Sequence, residues 1–183
     1  MSEPAWYAAL REAHRPGDVR VLLIGESAPD PGAAARRFFY NARLDQHDNL
    51  FRGVVHALFD ESPGHAGDDK SPWLSRLKVE GVFLIDLVPY PVDKLSRRDR
   101  AQARRDHVAA CVAQARALAP TGIVVCHGPT FDVLAAPLRA AGLPLLHRER
   151  IPFPLGNYRA AFVAKVRAVT VAAWKSAPPW ERR

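Results

Sequence analysis

Two acidic residues lie at points in the sequence where a ligand could reach them. Glu26 follows the apolar run of residues 19–24, and Asp86 lies inside the apolar run of residues 82–87. A carboxylate in a cleft can position a water molecule or stabilise a developing positive charge, whereas an unpartnered carboxylate in apolar surroundings costs free energy. Three consecutive aromatic residues, 38–40, offer flat faces. These residue types indicate a cleft for a flat ligand with polar edges.

The elements that must position these residues are short strands and helices. Four nearly continuous apolar runs are typical of strands covered on both faces. They are residues 19–24, 82–87, 123–126 and 143–146. The helical segments predicted from apolar spacing are residues 49–59, 99–118, 130–140 and 158–174. Strands alternating with helices predict an α/β domain with a parallel sheet.

The cleft is predicted at the carboxyl ends of these strands, because ligands of open parallel sheets bind where the loops after the strands converge. Those loops are residues 25–31, 86–91, 127–129 and 150–157. They are rich in proline and glycine and contain acids, aromatic residues and a histidine. Residues 60–72, which are rich in Gly, Asp, Ser and Pro, are predicted to form a loop.

Composition predicts one globular domain over residues 1–183, with residues 176–183 as a loose tail. The chain has 183 residues, of which 48% are hydrophobic and 25% charged. Its formal charge of +7 and pI near 9.9 favour an anionic partner such as nucleic acid, although an arginine-rich composition alone gives the same charge. No apolar run approaches the roughly 20 residues of a membrane span, and no secretory signal is visible. We expect a cytoplasmic monomer that does not contact a membrane.

Neither the cysteines nor the histidines predict a metal site or cofactor. Cys111 and Cys126 form no disulfide framework and no spaced set of ligands. His47 and His65 each lie near two aspartates, but neither shows repeated ligand spacing. A basic run at residues 97–105 opens a helix and is either a solvated face or a flank for DNA.

Two motifs resemble those of the uracil-DNA glycosylase superfamily. Residues 25–29, Gly-Glu-Ser-Ala-Pro, follow the first strand and resemble the proline turn of the family's first motif. Residues 151–155, Ile-Pro-Phe-Pro-Leu, enter the last helix and resemble the second motif, typically His-Pro-Ser-Pro-Leu. The resemblance implies a three-layer α/β/α sandwich around a four-stranded parallel sheet of order 2-1-3-4. It also implies an enzyme that binds single- or double-stranded DNA, extrudes a damaged base and hydrolyses its N-glycosidic bond.

The sequence departs from that family at two positions. Ile151 stands where the motif histidine would stabilise charge on the leaving base, and isoleucine cannot donate a hydrogen bond. Asp86 falls near the place of the base-reading asparagine, and an ionised aspartate only accepts hydrogen bonds. We therefore expect weak or atypical activity on uracil. The alternatives are a non-catalytic nucleic-acid- or nucleotide-binding module and a hydrolase of a small nucleoside-like ligand.

The resemblance implies roles for particular residues. Glu26 is the candidate catalytic residue, which would orient water and stabilise an oxocarbenium-like transition state; alternatively, it caps a turn or pairs with an arginine. The candidate base-binding residues are Ser27, Phe38, Phe39, Tyr40 and Asp86. Of the three rings one is expected to stack on the base, with Phe39 preferred, and two to fill the core. Asp86 could instead cap the loop that follows it.

The candidate DNA-backbone residues are Pro152, Phe153, Pro154, Gly156, Asn157, Arg159 and His127. Asn157 is predicted to cap the last helix, whose free backbone N–H groups would suit a phosphate oxygen. Simple helix capping would need no DNA, and His127 could equally be satisfied by local partners.

Overall fold

A computed structural model describes residues 5–30 and 38–174 of the chain. Its sheet has three parallel strands, β1 (Val21–Gly25), β2 (Val82–Asp86) and β3 (Gly122–Val125), in the order β2-β1-β3. The register pairs Val21 with both Val82 and Gly122. Every strand residue is buried except Asp86, which is partly exposed as a whole residue although its side chain is only 7% exposed. Because successive side chains point to opposite faces of a sheet, this burial means that both faces are covered. The parallel α/β architecture is confirmed.

The prediction of a fourth strand at residues 143–146 is wrong for the described residues. Leu145 forms only a single parallel bridge with Ile123. The Ile123 N–H donates to the carbonyl of Pro144 at 2.8 Å, and the Leu146 N–H donates to the carbonyl of Ile123 at 3.0 Å. The ladder stops there because the next N–H of β3 on that side, that of Val125, donates to Nε2 of His147 at 2.9 Å. The buried imidazole of His147 thus takes the place of the next backbone acceptor that a fourth strand would supply.

Seven α-helices surround the sheet in the described part of the chain. They are α1 (Ala5–Ala13), α2 (Asn49–Phe59), α3 (Ser71–Val79), α4 (Arg97–Asp106), α5 (Val108–Leu118), α6 (Gly128–Ala140) and α7 (Arg159–Thr170). Two short 3-10 helices, Gly156–Tyr158 and Val171–Ala173, flank α7. Helix α2 packs against α7, and α4, α5 and α6 contact one another.

The helix predictions were right for α2, for α6 within two residues, and for α7 together with the 3-10 helix that follows it, and they were incomplete elsewhere. The segment predicted as one helix over residues 99–118 is two helices, separated at His107, whose ring Nδ1 lies 2.8 Å from the carbonyl of Ala103. Helix α1 was not predicted, and α3 begins inside the predicted loop of residues 60–72. Only Leu74 and Leu77 of α3 are buried, so its apolar stripe is too thin to register in the sequence.

Both cysteines lie in the core. Cys111 and Cys126 are free and buried, and burial raises the pKa of each thiol to about 12. They are therefore neutral and unreactive near pH 7. None of the described helices is both long enough and apolar enough to cross a membrane. The predicted tail of residues 176–183 lies outside the described residues.

Candidate functional site

A pocket of about 850 Å³ opens at the carboxyl ends of the three strands. Its walls come from the loops that follow β1, β2 and β3, from the start of α2 and from the segment before α7. Its polar lining consists of Glu26, Ser27, His47, Asp48, Asn49, Asp86, Asp93, Arg100 and His127. Its position is the one expected for a ligand site in an open parallel sheet.

Many of the site residues predicted from the sequence meet in this pocket. Glu26, Ser27, Phe38, Phe39, Asp86, His127, Pro152 and Phe153 all line it. The other predicted residues, Tyr40, Pro154, Gly156, Asn157 and Arg159, do not.

Glu26 is bound by two arginines of α4. The Nε of Arg100 donates to both carboxylate oxygens of Glu26, at 2.9 and 3.0 Å, and its Nη2 donates to Oε2. The Nη1 of Arg104 donates to Oε1. Burial alone would raise the pKa of Glu26, but Arg100, His127 and Arg104 together lower it below its usual value. Glu26 is therefore an ionised carboxylate at the pocket floor. The alternative expectation, that it pairs with an arginine, is confirmed, because it pairs with both Arg100 and Arg104.

His127 completes this group, which we call the Glu26 cluster (Glu26, Arg100, Arg104 and His127). Its Nδ1 lies 4.0 Å from Oε1 of Glu26 and 2.9 Å from the hydroxyl oxygen of Thr130. Burial lowers the pKa of His127, an effect that the carboxylate of Glu26 opposes. The imidazole is consequently neutral near pH 7 and can accept a proton.

Asp86 forms a second, separate ion pair. Its Oδ2 accepts a hydrogen bond from Nη2 of Arg11 at 2.8 Å, and both side chains are nearly inaccessible to solvent. Burial raises the pKa of Asp86 against the opposing effect of Arg11, and the negative charge of Glu26 raises it further. Gly25, its partner across β1 and β2, leaves room for this carboxylate, because a Cβ there would lie 2.6 Å from Oδ1 of Asp86.

The three consecutive aromatic residues divide between the pocket wall and the core. Phe38 and Phe39 line the pocket but are only 2% and 8% exposed. Phe38 packs edge-on against Tyr7, and Phe39 packs edge-on against Phe51. Tyr40 lies outside the pocket: its hydroxyl donates to the carbonyl of Leu84 at 3.1 Å and accepts from the Leu84 N–H at 2.6 Å.

More exposed aromatic rings lie at the pocket mouth. Phe153 is 38% exposed and Tyr158 is 63% exposed, and both line the pocket. The ring of Phe153 meets that of His127 edge-on at 6.4 Å. Tyr158 is not predictable as a pocket residue from the sequence, because a lone tyrosine at the start of a helix carries no distinguishing pattern.

The segment before α7 differs from its predicted role in one respect. Asn157 does not cap α7: it lies inside the 3-10 helix Gly156–Tyr158, and the residue at the cap position, Tyr158, makes no capping side-chain hydrogen bond. The extra turn, which Gly156 permits with a φ of +54°, moves the start of α7 beyond Asn157. Arg159 reaches the pocket only indirectly, by donating to Oδ1 of Asn49 at 3.1 Å.

Two other positions in this segment are structural. Ile151 is 1% exposed and belongs to the core. Pro154 packs against α2, where a Cβ on Gly53 would lie 2.9 Å from Cβ of Pro154.

A buried lysine supports the wall that carries Phe38. The Nζ of Lys70 donates to the carbonyl of Phe38 and to Oδ2 of Asp48, both at 3.0 Å, and lies 4.3 Å from the ring centroid of Phe51. Burial lowers the pKa of Lys70, and Asp48 opposes this effect. The sequence does not predict this role, because Lys70 lies in a polar loop that is expected to be exposed to solvent.

The contact of Arg100 and Arg104 with Glu26 was also not predicted from the sequence. Their spacing of four residues places both on one face of a helix, which was visible in the basic run. Their partner, Glu26, lies 74 residues from Arg100 and 78 from Arg104, so the contact itself could not be predicted from the basic run.

The described residues contain no group of three His, Cys, Asp or Glu side chains placed to hold a metal ion. His47 lines the pocket, where its Nε2 lies 3.0 Å from the side-chain nitrogen of Gln46.

Comparisons with models of known protein families, with curated proteins and with solved structures found no match for this chain. The geometry of the pocket is therefore the basis on which a function can be assigned.

Proposed function

We propose that the pocket receives a damaged nucleobase extruded from DNA and that the chain hydrolyses the N-glycosidic bond of that base. In this proposal the fold is a three-layer α/β/α sandwich of the uracil-DNA glycosylase type. The observation that carries the proposal is the meeting of Glu26, Asp86, Phe38 and Phe39 in one pocket. These residues come from three stretches of the chain: the residue after β1, the end of β2 and the segment between the two strands.

The pocket suits a nucleoside unit in size and character. Its volume of about 850 Å³ falls within the roughly 300–1,000 Å³ of small-molecule sites. Phe38, Phe39 and Phe153 line the pocket, Phe153 being the most exposed of the three, and every base can stack on an aromatic ring. Asp86 supplies an acceptor for an amino or ring N–H group, and it would also donate when protonated.

The reaction assigns one task to each polar group. The bond between C1′ and the base nitrogen breaks, and its electron pair leaves with the base. The ionised carboxylate of Glu26 stabilises the positive charge that develops on the sugar. A water oxygen then bonds to C1′, and His127, which is neutral near pH 7, takes the proton that this water releases. The departing base takes up a proton from solvent, because Ile151 supplies none.

An excision assay tests the proposal. Single-stranded and duplex oligonucleotides carrying uracil, hypoxanthine or xanthine are incubated with the protein, and abasic sites are revealed by alkaline cleavage. We expect cleavage at one of these bases, with Glu26→Gln at least tenfold slower. Glu12→Gln, at an exposed acid on α1, is the matched control and should cleave at the wild-type rate. Equal rates for the wild-type protein and Glu26→Gln would remove the catalytic role of Glu26.

The excision rate should also depend on pH through His127. A neutral imidazole is needed to accept the proton, and the pKa of His127 lies below its ordinary value of 6.5. The rate should therefore be level near pH 7 and fall as the pH drops through that lowered pKa. His127→Gln should abolish this acidic limb, and a limb that survives the substitution would contradict the assignment.

A second candidate function is a nucleic-acid-binding module without catalysis. The two arginines on Glu26 favour it, because they offset the negative charge that would stabilise the sugar cation. The burial of Ile151 at the position of the motif histidine favours it as well. Salt-dependent binding to unmodified DNA, with no excision of any tested base, would select this function over the first.

A further inference from the structure

Helix α4 is unusually basic and barely attached to the core. Its ten residues, Arg97–Asp106, include five arginines and two aspartates, and Ala103 is its only buried residue. A helix with so little apolar contact is held in place chiefly by its polar interactions. The polar interactions of α4 therefore indicate its function.

Two of the five arginines fix α4 to the pocket. Arg100 and Arg104 lie one turn apart, and both donate to the carboxylate of Glu26. Arg100 is also part of the pocket lining, and its bonds to Glu26 use Nε and Nη2, leaving Nη1 outside that contact. At the start of the helix, Ser96 accepts a hydrogen bond from the Asp99 N–H at 3.2 Å.

The remaining arginines of α4 face solvent. Arg97, Arg98 and Arg105 are exposed, and in the described ranges neither Arg97 nor Arg98 forms an ion pair. Asp99 is engaged with Ser96, whose hydroxyl donates to its carboxylate at 2.7 Å. The exposed charges of the helix are thus three arginines and two aspartates, and the helix begins beside the pocket.

Acids at the same rim offset most of the positive charge of α4. Asp93 lines the pocket, and its Oδ1 accepts a hydrogen bond from the Asp30 N–H at 3.0 Å. The carboxylate of Asp30 pairs with Lys94 at 2.5 Å. These three side chains together carry one negative charge. With the five arginines and two aspartates of α4 and with Glu26, they leave a net charge of +1 beside the pocket.

We infer that α4 binds the phosphate backbone of the DNA strand whose base occupies the pocket, an inference that rests on the proposed function. The helix is roughly 15 Å long at 1.5 Å per residue. At about 3.4 Å per phosphate along one strand, that length spans about four phosphates. Glu26 acts in this arrangement as a positioning residue as well, because it holds the helix against the pocket.

Salt-dependent DNA binding tests the inference. The variant R97Q/R98Q removes two exposed charges from α4, and R20Q/K78Q removes two exposed charges that lie where strands β1 and β2 begin, at the opposite end of the sheet. The affinity of each protein for a 20-nucleotide single strand is measured by fluorescence anisotropy across a series of salt concentrations. Each lost phosphate contact should reduce the slope of log affinity against log salt by about 0.7. We expect a reduction near 1.4 for R97Q/R98Q and little change for R20Q/K78Q.

The outcomes separate this inference from the proposed function. An equal change in slope for both variants, or no change for R97Q/R98Q, would overturn the inference. In either case, continued excision by the wild-type protein would leave the proposed function standing. If α4 binds the backbone, R97Q/R98Q should raise the KM for excision from the oligonucleotide and leave kcat unchanged. A wild-type protein that binds no DNA would overturn both.

Discussion

Replacing Glu26 with glutamine should lower stability at neutral pH by an amount that the structure allows us to bound. The Glu26 side chain is 8% exposed, that of Arg104 is 13% exposed and that of Arg100 is 36% exposed. Breaking a fully buried ion pair costs roughly 3–5 kcal/mol, whereas exposed pairs contribute about 0–1 kcal/mol. One well-buried acid shared by a half-buried and a more exposed arginine lies between these limits, so we expect a loss of about 2–3 kcal/mol.

The loss should depend on pH in a defined direction. The pKa of Glu26 is lowered in the folded protein relative to 4.5, its ordinary value, which we take for the unfolded chain. The ion pairs therefore stabilise the fold fully above that value, and this stabilisation disappears as the pH falls through the lowered folded pKa. The stability difference between the wild-type protein and Glu26→Gln should be constant at pH 6–8, because these pH values lie above both the folded and the unfolded pKa of Glu26. The difference should shrink at acid pH.

Urea denaturation at a series of pH values measures both effects. In a parallel thermal denaturation at pH 7, a loss of this size should lower Tm by roughly 4–12 °C, at about 2–4 °C per kcal/mol for a chain of this length. Glu12→Gln is the control, because the Glu12–Arg15 pair is exposed and should contribute almost nothing. Equal stability of Glu26→Gln and the wild-type protein at pH 7 would refute the role of the ion pairs. A difference that persists unchanged at low pH would refute the assignment to the carboxylate charge.

Two further substitutions test the supports of the pocket wall. Tyr40→Phe removes the hydroxyl that pairs with both backbone groups of Leu84, so it should cost about 1–3 kcal/mol in urea denaturation; a neutral effect would show that water replaces the hydroxyl. Lys70→Met leaves the carboxylate of Asp48 buried without its cation and should cost roughly 3–5 kcal/mol. The double variant Lys70→Met/Asp48→Asn should regain part of that stability, and additive losses from the two changes would contradict a direct interaction.

Some of the fold was predictable because it depends on local pattern. The apolar runs at residues 19–24, 82–87 and 123–126 gave three strands, since a strand buried on both faces needs an unbroken apolar stretch. The fourth run failed as a strand because a side chain from outside it, that of His147, bonds to the next backbone N–H of β3. No local property of residues 143–146 predicts that the His147 side chain takes the place of a backbone hydrogen-bond partner of β3.

The meeting of Glu26 and Asp86 at one end of the sheet followed from the sequence, because the parallel order of the strands places their carboxyl ends together. The partners of these acids did not follow. Arg11 lies 75 residues from Asp86 and Arg100 lies 74 residues from Glu26, and only the packing of α1 and α4 brings them within hydrogen-bonding distance.

The sequence by itself determined the three strands, the α2, α6 and α7 helices and the end of the sheet at which the pocket opens, because these depend on the period and order of apolar residues. The tertiary structure alone decided the charge state of the pocket. An ionisable group responds to the burial and the charges around it, and those are set by residues that are distant in the chain. For this reason Glu26 and Asp86, two acids that the sequence presents alike, have pKa values displaced in opposite directions.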